Sequence, residues 1–367
     1  MNKNYVAIIS VTKSCPLRCQ YCYVHSKNEQ KMSLPTVFRI IDELFKINKG
    51  PVNEIIWHGG EPLAMGLPFY QSVCDYLAEH YPDKRVVHKI QTSGVLITQE
   101  WVDFFKKYNF EVGVSLDGPQ FIHDRQRLTQ AGKPTFQKVC HGVKLLRDSG
   151  LKPGFIAVIT RNSLPYSQEI FDFFYSNSWQ FSFAKVSCGE GCIENLSITA
   201  EEYACFYGEM LEHFLQQPEF RLKVVPIFHH IMSFIKGATV GLCANEKNCA
   251  GSYLSFAPDG SVYNCNRFVD YPEVAFGNIL HQPLEEILKS ALRATFAHRA
   301  KQLSKVCAKC NYKVVCNGGC PSEQYVKTGS IMGKSAECEV NSLIFPLLEE
   351  RLKKEFMDEN TKKKFSS

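Results

Sequence analysis

The sequence predicts an α/β fold, a parallel sheet with helices outside it, followed by a smaller cysteine-rich region. Short β-branched runs alternate with longer helical patterns from Tyr5 to about Gln217, the signature of consecutive βα units. The alternation stops at Cys243, where cysteines, glycines and short segments take over. Eleven of the 16 cysteines fall into spaced clusters on either side of that change.

Six strands are expected, at Tyr5–Val11, Glu54–Trp57, Val86–Gln91, Glu111–Ser115, Phe155–Ile159 and Phe181–Val186. Helices are expected between and after them, at Leu34–Asn48, Leu67–Tyr81, Thr98–Tyr108, Phe136–Ser149, Pro165–Ser176 and Ala200–Gln216. Thr98 has the chemistry of an N-cap, and Ser149-Gly150 that of a helix stop. A bridging region over 226–242 carries an apolar helical pattern at Ile227–Ile235, in which His229 and His230 read as core or solvated residues. Tyr253–Ala257, Pro258-Asp259-Gly260 and Ser261–Cys265 read as a β-hairpin, because Pro-Asp-Gly suits a tight turn. The Lys- and Glu-rich end from Glu349 to Ser367 reads as a solvated helix that frays. The expected organisation is 1–225 for the βα domain, 226–242 for the bridge, 243–345 for the cysteine-rich domain and 346–367 for a charged tail.

Composition narrows the function. The 367 residues are 45% hydrophobic, enough for one large core or two domains. A net charge of +5, with no basic run interleaved with aromatics, predicts no nucleic-acid partner. No apolar stretch approaches the ~20 residues of a membrane span. Met1-Asn2-Lys3-Asn4 and the short run after it lack a signal-peptide layout. The expectation is a cytoplasmic protein whose thiols serve metal or redox chemistry rather than disulfides. Cys74, Cys140 and Cys205 fall on expected helices and read as packing residues. Cys188 and Cys192, after the sixth strand, read as structural thiols, with catalysis or metal ligation as the alternative.

The first cluster is Cys15-x3-Cys19-x2-Cys22, directly after the first strand. Soft thiolates select iron–sulfur or zinc. Three ligands leave one position of a cubane open, and an open position binds something else. A zinc knuckle or merely buried thiols are the alternatives. The motif resembles that of the radical S-adenosylmethionine (SAM) superfamily, in which the amino and carboxylate groups of SAM chelate the unligated iron. That resemblance implies a partial (β/α)6 TIM-type barrel, open on one side. It also implies reductive cleavage of SAM to methionine and a 5′-deoxyadenosyl radical. Tyr21 stands where the family sets an aromatic residue against the adenine.

Each further motif follows an expected strand, at the end where barrel chemistry gathers. Gly59-Gly60-Glu61-Pro62 matches the family segment that holds the SAM amino group. Gln91-Thr92-Ser93-Gly94 departs from the family's usual Gln-Thr-Asn-Gly at Ser93, and the resemblance counts Ser93, with Glu61, among the expected SAM contacts. Ser115 offers a hydroxyl to the ribose or carboxylate of SAM, and Arg127 a two-pronged donor for a carboxylate. Asp117 and His123 read as braces of their loop.

The second cluster set is Cys243-x5-Cys249-x15-Cys265, then Cys307-x2-Cys310-x5-Cys316-x3-Cys320-x17-Cys338. Eight thiols suffice for two four-cysteine clusters or for two structural zinc sites. The pattern resembles the SPASM extension of radical SAM peptide-modifying enzymes. By that resemblance Cys243, Cys249, Cys265 and Cys320 hold one auxiliary [4Fe–4S] cluster, and Cys307, Cys310, Cys316 and Cys338 the other. Three clusters in all are thus expected, with a reductase or flavodoxin-type electron donor. Full ligation at the auxiliary sites suits them to electron transfer.

Two reactions fit. Gly113–Pro119, Gly132–Phe136 and Ile156–Leu164 with Glu169–Phe174 resemble the maturases that form cyclophane crosslinks in ribosomally made precursor peptides. A thioether link is the variant of that reaction. Anaerobic sulfatase-maturing enzymes, which oxidise Ser or Cys to formylglycine, are the alternative. They carry a general-base aspartate directly after the third cysteine of the first auxiliary site, where this chain has Asn266, and an amide cannot accept a proton as a carboxylate does. A non-catalytic electron carrier or zinc scaffold is the reading from another class. With a first strand at Tyr5, the chain leaves no room for an N-terminal leader-recognition domain.

Overall fold

The computed structural model describes residues 4–24, 29–187, 194–217, 222–247 and 249–356. Ten strands are described: β1 (Val6–Thr12), β2 (Val52–Gly59), β3 (Arg85–Thr92), β4 (Glu111–Ser115), β5 (Gly154–Ile159), β6 (Phe181–Lys185), β7 (Val224–Val225), β8 (Tyr253–Phe256), β9 (Ser261–Tyr263) and β10 (Gly277–Asn278). The eight helices that matter most here are α1 (Leu34–Ile47), α2 (Leu67–His80), α3 (Gln99–Lys107), α4 (Gln120–Gln126), α5 (Phe136–Asp148), α6 (Ser167–Ser176), α7 (Ala200–Leu215) and α8 (Ile227–Lys236). The six strands and the helices expected from the sequence are all present, within two residues at nearly every end. The described residues form two compact units. One comprises Met1–Leu116, Gln126–Pro153 and Asn248–His298, and the other Asp117–Arg125, Gly154–Lys247 and Arg299–Ser367.

In the first unit β1, β2, β3 and β4 lie side by side and parallel, in register at Ala7↔Ile55, Ile55↔His88 and Ile90↔Val112. Ala7, Ile9 and Val11 of β1 are fully buried, and so is Ser10 almost, as befits a strand covered on both faces. In α1 the residues Val37, Ile40, Ile41 and Leu44 are buried at helical spacing, and Ser33 caps the start by accepting from Thr36 N at 3.2 Å. Thr98 occupies the N-cap of α3 but makes no cap bond. Gly150, at φ +85°, ends α5 as expected.

The expected hairpin is present as β8 and β9, antiparallel, with Gly260 at φ +85° in its turn. What the sequence pattern did not reveal is its neighbour. β8 pairs parallel with β1, Val6↔Tyr253 through Ile9↔Phe256, so the strand run of this unit is β10-β9-β8-β1-β2-β3-β4.

In the second unit β5, β6 and β7 are parallel neighbours. The helix expected at Pro165–Ser176 starts as a 3-10 turn, Leu164–Tyr166, before α6. A capping box of Thr199 and Glu202 opens α7, whose Tyr203, Phe206, Tyr207, Met210 and Phe214 are buried. His230 is a core residue, 3.0 Å from the Tyr207 hydroxyl. Asp117 and His123 brace their loop as expected: the Asp117 carboxylate accepts from Val158 N at 3.0 Å, and its N–H points to His123 Nδ1 at 3.4 Å.

Of the charged stretch expected from Glu349 to Ser367, the described residues end at Phe356. A single helix runs Cys338–Phe356, and Ile344, Phe345, Leu348 and Leu352 are buried. Arg351 makes a two-pronged pair with Glu212 at 2.6 Å. Its Lys and Glu side chains line only the outer face, which is why composition alone suggested a solvated segment. Cys74 is buried in α2, but Cys205 is exposed on α7, so packing does not account for Cys205. Among the described residues no helix is long and apolar enough to cross a membrane.

Candidate functional site

Cys15, Cys19 and Cys22 sit in the loop that leaves β1, each half-buried. The loop is laced to the segment 126–130. Arg18 N donates to Leu128 O at 2.7 Å and Gln20 N to Gln126 O at 3.0 Å. The Gln130 side chain donates to the carbonyls of Cys15 and Leu17, both at 3.0 Å. This lacing delivers Arg127, buried, over the ring of Tyr21, its guanidinium carbon 5.2 Å from the centroid. Two residues expected to contact SAM, far apart in the sequence, are therefore in contact with each other.

Gly59 and Gly60 follow β2, and what comes close to them is the cysteine loop itself. A Cβ on Gly60 would stand 2.4 Å from Ser14 O and 2.6 Å from Lys13 O, and one on Gly59 2.3 Å from Thr12 O. The backbones are joined by Gly60 N to Thr12 O at 2.7 Å and Glu61 N to Ser14 O at 2.9 Å. Only glycine permits this approach.

Glu61 is fully buried. One carboxylate oxygen accepts from Leu63 N at 3.1 Å and the Thr92 hydroxyl at 2.7 Å. The other accepts from Ser93 N at 2.8 Å and the Ser93 hydroxyl at 2.5 Å. Burial holds its carboxyl above the ordinary range, and these bonds draw it back down. Glu61 thus clamps the ends of β2 and β3 together. Ser93, the departure from the family pattern, supplies two of the four donors. At the end of β4 the Ser115 hydroxyl accepts from Gln91 Nε2 at 3.1 Å.

A second network joins the cysteine loop to the hairpin region. Asn266, buried, donates from Nδ2 to the Tyr23 hydroxyl at 2.8 Å and approaches His58 Nδ1 at 3.2 Å. His58 Nδ1 also takes the Gly59 N–H at 2.8 Å. Burial pushes His58 down to about 4 and the Tyr23 hydroxyl up. Beside it Lys13 pairs with Asp270 at 2.7 Å, both side chains largely buried. Tyr23 and His58 were not singled out by sequence. The available signal was position: Tyr23 directly follows Cys22, Asn266 directly follows Cys265, and His58 directly precedes the glycine pair.

Of the remaining cysteines, Cys249 and Cys265 lie in the first unit. Cys249 Sγ accepts from Asn264 Nδ2 and Cys265 Sγ from Arg267 N, each at 3.3 Å. Cys243, Cys307, Cys310, Cys316, Cys320 and Cys338 lie in the second. There Cys310 and Cys338 lie near Cys307, and Cys307 and Cys338 near Cys316. Burial raises the Cys307 thiol, and the nearby Cys310 and Cys338 raise it further. Burial likewise raises Cys316, which also feels Cys338 and Cys307 and accepts from Asn341 Nδ2 at 3.4 Å. Asn317, Gly318 and Gly319, all at positive φ, turn the chain between Cys316 and Cys320. Buried Arg299 holds that turn by donating to the carbonyls of Gly318 at 3.1 Å and Gly319 at 2.9 Å. Cys188 and Cys192 lie outside the described residues.

These donor sets fit iron–sulfur clusters. Every candidate ligand is a sulfur, and N–H groups donate to Cys15, Cys249, Cys265 and Cys316, as they do to cluster thiolates. Among the described residues no three His, Cys, Asp or Glu converge on one point.

Two family models match the chain: the radical SAM superfamily over residues 9–173 and an iron–sulfur cluster-binding SPASM domain over residues 243–311. A serine-type anaerobic sulfatase-maturating enzyme of Bacteroides thetaiotaomicron is 30% identical over 351 residues, covering 88% of this chain and 84% of that one. Among solved structures, native anSMEcpe with bound AdoMet and Cp18Cys peptide superposes with a TM-score of 0.85 at 23% identity, covering 96% of this chain and 98% of that one. SuiB of Streptococcus suis, bound to the precursor peptide SuiA, superposes with a TM-score of 0.67 at 16% identity, covering 92% of this chain and 76% of that one. Both likenesses are of fold.

Proposed function

The chain belongs to the radical SAM superfamily and carries the SPASM extension, and from that premise we propose that it matures a ribosomally made peptide by closing an intramolecular carbon–carbon crosslink. Being a radical SAM enzyme, it is no passive electron carrier or zinc scaffold. The observation that carries the choice of reaction is Asn266. Its NH2 group faces the Tyr23 hydroxyl and His58 Nδ1, so the position where sulfatase-maturing relatives resemble one another in a base offers none here.

SAM, on the open iron of a cluster held by Cys15, Cys19 and Cys22, would supply a 5′-deoxyadenosyl radical that removes a hydrogen from a peptide side chain. The chain's own groups have distinct tasks. Tyr21 offers a ring face for the adenine, and Arg127 offers its guanidinium to a carboxylate. The backbone at Gly59 and Gly60 offers acceptors to the amino group, and Ser115 a hydroxyl to the ribose or carboxylate. Glu61 and Ser93 keep that wall in shape from behind. We assign two auxiliary clusters, one to Cys243, Cys249, Cys265 and Cys320 and one to Cys307, Cys310, Cys316 and Cys338. Reducing equivalents come from a flavodoxin-type donor.

Formylglycine formation is the second reading, favoured by the similarity to sulfatase-maturating enzymes over most of the chain. The test is anaerobic turnover with short peptides encoded near this gene and with a sulfatase-derived peptide, read by fragmentation mass spectrometry and aldehyde capture with a hydrazide. The expected product has lost two hydrogens, resists fragmentation between two residues and is not captured. A captured product would establish the second reading, since serine oxidation also removes two hydrogens.

A further inference from the structure

Building on the assignment of two auxiliary clusters, we infer that the lysine-rich surface around Cys307 and Cys310 is the docking site of an acidic one-electron carrier protein, which exchanges electrons with the cluster assigned to Cys307, Cys310, Cys316 and Cys338.

Charge is the first observation. From Arg299 to Ser322 the chain carries Arg299, Lys301, Lys305, Lys309 and Lys313 and no Asp or Glu. That is a charge of +5, as much as the net charge of the whole chain. Arg299 is buried, whereas Lys301, Lys305, Lys309 and Lys334 are exposed and Lys313 is half-buried. Burial raises the Cys307 thiol, and the ammonium groups of Lys334 and Lys313 draw it back down, so both stand near this cysteine. Lys309 lies between Cys307 and Cys310, in a turn closed by Cys310 N donating to Cys307 O at 3.1 Å. The carboxylates near this surface are already answered by cations. Glu349 accepts from the Tyr312 hydroxyl and pairs with Lys353, both at 2.8 Å. Glu337 and Glu339, on either side of Cys338, pair with Lys185 and Lys327.

Exposure is the second observation. Of the four cysteines assigned to this cluster, Cys310 is exposed and the rest are half-buried. Val306, directly before Cys307, is 54% exposed, and Val314, two residues before Cys316, is 57% exposed. They are the most exposed large apolar side chains among the described residues. Electron transfer needs two cofactors close together, and an exposed ligand loop gives a carrier a short approach. A brief redox encounter needs only a small contact, with apolar groups to touch and charges to steer. Two valines among lysines supply both, and the sign of the charge selects an acidic partner, as flavodoxins are. In the step itself one electron leaves the carrier's flavin hydroquinone, which becomes the semiquinone, and the cluster goes from its 2+ to its 1+ state.

The test is anaerobic stopped-flow mixing of the cluster-loaded protein, without SAM or peptide, with a bacterial flavodoxin reduced to the hydroquinone. The rate is read from semiquinone formation. The methyl viologen radical, a small cation, is the second reductant: a change in cluster potential slows both, and lost docking slows flavodoxin alone. In the triple variant Lys305→Glu, Lys309→Glu, Lys334→Glu the ratio of flavodoxin rate to viologen rate should fall about tenfold or more at low salt. The parent's decline of rate with rising salt should flatten in this variant. Lys106→Glu with Lys138→Glu and Lys152→Glu makes the same charge change on exposed lysines of the first unit and should keep the parent's ratio. If the triple variant loads poorly with iron, the pair Lys305→Glu and Lys334→Glu leaves the turn between the cysteines untouched and should still lower the ratio. An unchanged ratio in loaded variants, as expected of a surface that serves RNA or a peptide instead, would overturn the docking site, and so would an equal fall in the first-unit variant. A parent protein short of one cluster's share of iron and sulfide would overturn it from beneath, by removing the cluster, and metal analysis tells that failure apart. No substrate is present, so the outcome is independent of which peptide the enzyme modifies.

Discussion

Glu61→Gln separates a clamp from a ligand contact. A glutamine keeps the shape and one carbonyl oxygen. Its NH2 must face either Leu63 N–H with the Thr92 hydroxyl, or Ser93 N–H with the Ser93 hydroxyl. Hydroxyls can turn and accept, but a backbone N–H cannot. Whichever way the amide is turned, one charge-assisted bond is lost and two donors are left face to face. A bond to a charged group contributes about 1.5–3 kcal/mol. Removing a buried charge offsets part of this, because burial already favours the neutral carboxyl. The net loss should be about 2 kcal/mol, or roughly 4–8 °C in Tm for a cooperative unit of ordinary domain size. The assay is anaerobic thermal unfolding of the cluster-loaded protein, beside the SAM KM for 5′-deoxyadenosine formation. An unchanged Tm with a KM raised about tenfold would refute the clamp and make Glu61 a direct ligand group.

Three other outcomes follow from the same geometry. Gly60→Ala drives a methyl into the Lys13–Ser14 backbone, 2.4 Å from Ser14 O, and overpacking against backbone costs about 1–3 kcal/mol; iron and sulfide content should fall by one cluster's share while the remainder stays. His88 and His230 are both buried and pushed down to about 4, so the folded chain keeps them neutral while the unfolded chain binds protons below about 6.5. Stability is therefore complete above that pH and is lost as pH falls, at up to about 1.4 kcal/mol per unit for each histidine. In guanidinium unfolding between pH 7 and 5.5, His88→Gln should show a shallower slope than the parent; equal slopes would contradict this. Replacing Cys307 and Cys310 together should impair product formation more than SAM cleavage, and equal losses would count against an electron-transfer role for that cluster.

The strands, their order and the cluster spacings were legible because they are local: period, caps and intervals of a few residues. β4 matched to the residue, and α1, α2 and α5 to one. What stayed hidden depends on long-range approach. Nothing near Tyr253 announces that it pairs with Val6, since a parallel ladder leaves no turn signal at either strand. Nothing near Gly59 and Gly60 announces that the backbone of Thr12–Ser14 packs against them. Glu61 was visible only as part of the Gly59–Pro62 segment; its enclosure by Leu63, Thr92 and Ser93 was not. Asn266 was visible as a departure, but its meaning required His58, 208 residues away. The helix expected from Glu349 begins earlier, at Cys338, and buries Leu352 among its lysines and glutamates.

The pairing of β1 with β8 has a consequence for biosynthesis. As the chain emerges from the ribosome, β2 can cover one edge of β1 after about fifty residues, but Tyr253–Phe256 cover the other only after some two hundred more. During that interval a nearly all-apolar strand edge, next to three cysteines, stands open to other nascent chains. Expression that supplies holdase chaperones until residue 256 has emerged should therefore raise the yield of soluble protein.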